Sequence, residues 1–98
     1  MKSYRILFRK RATKEYLEAI TWYEERSSKA ALNFITEINR KLDVLEQDPT
    51  RFRFIYKQYK EILVNHYPFC IVYFIDEKLK KVVVTSVFHV KRNPGKKI

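Results

Sequence analysis

The chain is 98 residues long, 46% apolar and 33% charged, with a net charge of +10. That length supports one modest hydrophobic core, so residues 1–98 read as a single domain, and the composition excludes a disordered chain. A single glycine (Gly95) rules out a glycine-rich phosphate cradle, and a single cysteine (Cys70) rules out an intramolecular disulfide.

The charge is unevenly placed. Residues 1–14 hold six Lys/Arg and no acid, residues 15–48 hold eight acids against four bases, and residues 49–98 hold eleven bases against three acids. A clustered positive field attracts phosphate backbones or an acidic protein, and a solvated basic surface is the bland alternative. Met1-Lys2-Ser3-Tyr4 leads straight into a strand pattern without a signal-like apolar stretch. The longest apolar run falls well short of the roughly 20 residues a membrane span needs, so a cytoplasmic protein without membrane contact is expected.

In chain order, Tyr4–Arg9 alternates, with Tyr4, Ile6 and Phe8 on one face, and predicts a half-buried strand. Thr13 is the expected N-cap of a helix reaching Arg26, with Tyr16, Ala19, Ile20 and Tyr23 at helical spacing and Leu17 and Trp22 widening the stripe. Ser27-Ser28 breaks and restarts the helix. Ala31, Ile35, Ile38, Leu42 and Leu45 then define a second amphipathic helix to Gln47, stopped by Asp48-Pro49. Arg51–Lys60 reads as a connector in which Phe52, Phe54, Tyr56 and Tyr59 interleave with cations. Strand character follows over Glu61–Tyr67, Phe69–Ile75 and Lys81–His89, the last two joined as a hairpin. The order β-α-α-β-β-β predicts an α+β fold, a helical hairpin packed on a small, mainly antiparallel sheet. Cys70, in an apolar run, is expected to be a buried hydrophobe.

Four segments together resemble the RelE/ParE superfamily of bacterial toxins from type II toxin–antitoxin systems: Tyr4–Phe8 with Ala12; Ala19-Ile20-Thr21-Trp22-Tyr23; Leu45-Glu46-Gln47-Asp48-Pro49; and Tyr67–Tyr73 with Val87–Pro94. The resemblance covers essentially the whole chain. It implies a toxin neutralised by a cognate antitoxin, whose C-terminal segment folds onto the toxin surface. In the ParE-like branch the implied target is DNA gyrase, and no catalytic set is needed. In the RelE-like branch the implied partners are the ribosome and messenger RNA, cleaved without a metal. A degenerate homologue that binds only an antitoxin or operator DNA is a third reading.

Cleavage would require an acid/base and several cations about the phosphate. On the ribonuclease reading His89 is the acid/base candidate, and Lys60, Lys91 and Arg92 are the cations. His89 reads equally well as a structural strand cap. The resemblance places an arginine of the ribonuclease branch near Phe69 or Cys70, yet Phe69–Tyr73 holds no cation, and this favours the ParE-like branch. Arg51, Arg53, Lys57, Lys60, Lys91 and Arg92 are the candidate target- or nucleic-acid-binding residues. Glu61 reads as an edge-strand charge, His66 as a surface turn residue, and Trp22 and Tyr23 as packing at the helical hairpin. No cofactor is expected, and two histidines 23 positions apart with one distant cysteine give no metal-ligand spacing.

Overall fold

The computed structural model describes residues 3–91. Its elements are β1 (Arg5–Phe8), α1 (Lys10–Glu24), α2 (Ser28–Gln47), a 3-10 turn (Pro49–Arg51), β2 (Phe54–Tyr56), β3 (Tyr59–Leu63), β4 (Phe69–Asp76) and β5 (Lys81–His89). The strands form one sheet in the order β1-β5-β4-β3-β2, in which β1 runs parallel to β5 and every other pair is antiparallel. The helical hairpin lies on one face, as expected of the α+β class. Among the described residues no helix is long and apolar enough to cross a membrane.

Four local expectations need correction. Helix α1 starts at Lys10, and Thr13 lies inside it. The Arg9 N–H still donates to Val84 O (2.9 Å) while Arg9 O accepts from the Thr13 N–H (3.0 Å). The chain thus passes from the sheet ladder into the helix without a loop, and sheet pairing sets the helix start without a capping side chain. Ser27 does cap α2, its Oγ accepting from Ala30 N at 2.9 Å. The Arg51–Lys60 connector holds an extra strand, β2, which makes a tight hairpin with β3 through Lys57-Gln58. Lys57 takes a positive φ of 47° there. The strand expected over Glu61–Tyr67 begins at Tyr59 and ends at Leu63, because Asn65 and His66 turn the chain and His66 adopts φ 70°. With β2 outside it, β3 is internal, so Glu61 is no edge charge. Its side chain is 1% exposed and accepts the Arg53 guanidinium.

The core lies between the hairpin and the sheet. Phe34, absent from the predicted stripe, sits at its centre, with the rings of Tyr23, Phe69, Tyr67 and Tyr16 at 4.8, 5.2, 5.3 and 6.0 Å. Helix-facing residues alternate along β4 as Phe69, Ile71, Tyr73 and Ile75. On β5 their partners are His89, Val87, Val84 and Val82, so the parity of β5 changes at Thr85, one extra residue between Val84 and Ser86. This is a β-bulge, which re-aims every side chain beyond it.

The turn after α2 is held from beneath by two side chains of adjacent strands. The Tyr73 hydroxyl donates to Pro49 O (2.6 Å), and the Lys60 ammonium donates to Thr50 O (3.0 Å) and Phe52 O (2.6 Å). Burial, with the Asp48 charge adding to it, pushes the Tyr73 phenol well above its ordinary value. A phenol with a raised folded-state pKa stabilises the fold while it stays protonated. That contribution is whole below about pH 10 and declines as pH rises further. Lys60→Met should therefore cost about 2 kcal/mol or more by stranding two carbonyls, and Tyr73→Phe about 1–2 kcal/mol. Urea denaturation checks both, and the Phe variant should also lose part of the alkaline decline in stability.

Candidate functional site

The β5 bulge decides where His89 points. Without Thr85, strict alternation would carry Val82, Val84, Ser86 and Phe88 toward the helices. With it, Val87 and His89 face them instead. Glu15, on α1, stitches the bulge: its Oε1 accepts from the Ser86 hydroxyl (2.6 Å) and from Val87 N (3.0 Å). Its other oxygen accepts from Arg11 Nε at 3.3 Å. Thr85 Oγ1 adds a bond to Val72 O at 3.3 Å. One helical carboxylate thus satisfies a main-chain donor at the bulge and ties α1 to the sheet.

His89, partly buried, sets its ring at 4.9 Å and 76° to Phe69. Its Nδ1 accepts from the Lys91 N–H (3.2 Å), which assigns the proton of the neutral ring to Nε2. Val90 N donates to Pro68 O at 2.9 Å and holds the strand end against the β3–β4 turn. His89, Phe69 and Pro68 form one wall of a recess of about 230 Å³, and Ala19, Trp22 and Tyr23 of α1 form the other. Ala19 opens this space because it is small. Trp22 is 40% exposed, packs edge-on to Tyr23 at 4.9 Å, and has the Arg26 guanidinium over its face at 3.2 Å. The Arg26 Nη1 also donates to Trp22 O (2.8 Å). The recess is an aromatic pocket with an imidazole in its wall and a guanidinium at its edge, suited to receiving one apolar or aromatic group.

Of the other described candidates, Lys91 alone adjoins His89. Lys60 is 6% exposed, and its ammonium is spent on the Thr50 and Phe52 carbonyls and on the Phe54 ring at 3.7 Å. Lys60 pairs with Tyr73 and His89 with Phe69, four residues apart on β4, so they are separated by about 13 Å along the strand. Arg51 and Arg53 line a separate groove of about 480 Å³ with Lys41, Val44, Phe52 and Leu63. Lys57 is exposed in the β2–β3 turn, and Lys91 lies exposed beside His89. Arg92 falls outside the described residues. His66 occupies the exposed turn, as expected, and Cys70 is fully buried. Trp22 and Tyr23 belong to the recess wall as well as to packing. The signal in the sequence was Ala19, a small residue in a stripe of large ones.

A family model described as the ParE toxin of type II toxin-antitoxin system, parDE, matches residues 6–94. Among solved structures, one described as the chromosomal ParDE TA system from P. aeruginosa is similar at a TM-score of 0.76, over 91% of this chain and 98% of that chain. Its sequence is 12% identical, so the likeness is one of fold. None of the curated proteins matches the chain.

Because Glu15 sets the bulge and the bulge aims His89, Glu15→Ala should lower stability by about 2 kcal/mol in thermal denaturation. It should also shift the His89 imidazole NMR signals while leaving those of His66 in place.

Proposed function

The chain belongs to the ParE toxin family of type II toxin–antitoxin systems, and on that premise we propose that it arrests growth by binding DNA gyrase in the cytoplasm, held inactive by a cognate antitoxin. The observation that carries this reading over nucleic-acid cleavage is the separation of Lys60 from the histidine. A phosphate undergoing in-line attack needs its donors and its acid/base within hydrogen-bond reach of one another. Here Lys60 lies about 13 Å along β4 from His89 with its ammonium already bonded, and Phe69–Tyr73 supplies no cation. Binding makes no such demand. An aromatic recess with the Arg26 guanidinium over its Trp22 offers what a protein anchor residue requires: apolar walls, one polar group and a charge at the edge.

Expression of the chain without an antitoxin, with DNA and protein synthesis pulse-labelled in one culture, tests the proposal. DNA synthesis should fall first, and the purified chain should inhibit supercoiling by gyrase. An early halt in translation with DNA synthesis intact would identify a messenger-RNA nuclease with His89, Lys91 and Arg92 at its centre. Unimpaired growth would reduce the chain to an antitoxin-binding homologue. Either result overturns the gyrase reading.

A further inference from the structure

An antiparallel sheet packed on one face ordinarily shows polar side chains on the other. In this protein the helix-free face carries an apolar row running across all five strands. Leu7 of β1 pairs in register with Val83 of β5, Val83 with Phe74 of β4, and Tyr56 of β2 with Tyr59 of β3. The Tyr59 and Phe74 rings meet at 5.9 Å, edge to face, and close the row. Leu7 is 48% and Tyr56 51% exposed, Tyr59 and Phe74 are partly exposed, and Val83 between Leu7 and Phe74 is buried. With strands about 4.8 Å apart, the three rings span about 10 Å.

Cations flank the rings. The Arg9 guanidinium stands 5.5 Å from the Phe74 centroid and the Lys57 ammonium 5.2 Å from that of Tyr56. Arg5 is exposed on the neighbouring rung, in register with Lys81. The carboxylates of this face have partners of their own. Asp76 accepts from Leu79 N (3.1 Å) and pairs across the ladder with Lys81, and Glu61 lies buried against Arg53.

We propose that this face binds single-stranded DNA, with bases stacked on Tyr56, Tyr59 and Phe74 and phosphates met by Arg5, Arg9 and Lys57. The charge pattern selects the occupant. A protein's apolar strip would meet cations at both ends of the row, whereas each nucleotide brings one π-face and one negative charge. A duplex keeps its base faces inside and cannot reach rings set in a sheet. The exposed Leu7 at the end of the row offers apolar contact to the thymine methyl that uracil lacks, which favours DNA over RNA. The activity proposed is separate from gyrase binding and stands or falls without it.

Fluorescence anisotropy with a labelled oligothymidylate of about 12 nucleotides, titrated with the purified chain, tests it. Tyr56→Ala and Phe74→Leu should each weaken binding about tenfold while leaving affinity for a duplex of equal length unchanged. Phe74→Leu keeps an apolar side chain under Arg9, and Tyr56 is exposed enough that its loss leaves the fold intact by circular dichroism. Arg9→Ala and Lys57→Ala should each reduce the slope of log affinity against log salt by about 0.7. No binding at low salt would overturn the proposal. So would ring variants that bind as the parent does, or single-strand and duplex affinities that fall together. Tighter binding of an oligouridylate would overturn the assignment to DNA, and equal competition by polyglutamate would make the face a protein-docking surface.

Discussion

One inserted residue governs the geometry of this protein. Thr85 is unmatched on β4, and from it onward β5 shows its other side to the helices. Everything placed at the far end of the sheet follows from that change of parity: Val87 enters the core, Phe88 turns to the helix-free face, and His89 comes to lie under α1. A bulge leaves its own main chain short of ladder partners, and here the shortfall is made up by Glu15 from the helix above. The same carboxylate therefore satisfies the irregular strand and fixes the helix over the recess. The bulge and the recess are one construction.

The lysine beneath the 3-10 turn shows how misleading a charge count can be. Lys60 contributes to the net charge like any other cation, but its ammonium sits against main-chain oxygens and an aromatic ring. Together with the Tyr73 hydroxyl it satisfies three carbonyls of the 3-10 turn and the residue that follows it. Glu61, its neighbour in sequence, points to the opposite face and is neutralised by Arg53. Two adjacent charged residues of an internal strand are thus structural, one on each side of the sheet. Basic character available to a partner lies on exposed cations such as Arg5, Arg9, Arg51 and Lys57.

The fold class was legible because two long amphipathic helices and two β-rich runs leave few arrangements, and Ser27 and Asp48-Pro49 mark their ends with side chains that act locally. Helix α1 was misjudged at its start because the controlling bond, Arg9 N to Val84 O, joins residues far apart in the chain. Strand β2 was hidden by its three-residue length and by a register shift that spoils alternation. His89 could be singled out by its position at a strand end. Its direction could not, since that depends on Thr85, which looks like any β-branched strand residue. Lys60 was misjudged for a related reason: nothing in Arg51–Lys60 marks which cation turns inward. The aromatic row on the helix-free face was equally invisible, because its rings come from three strands and adjoin only once the register is set.

The strand order also bears on synthesis. Among the described residues β5 is the last element to be made, yet it lies between β1, the first, and β4. Until Lys81–His89 has emerged, β1 has no partner and the sheet exists only as the β2-β3-β4 meander. A nascent chain can form its helical hairpin early, from contacts close in sequence, but it has no complete sheet to receive that hairpin. The recess needs His89 of β5, whereas the three rings of the row lie on β2, β3 and β4 and can be aligned by the meander alone. A chain halted before β5 therefore lacks the recess while it can already present the rings, so the two surfaces arise at different points of synthesis.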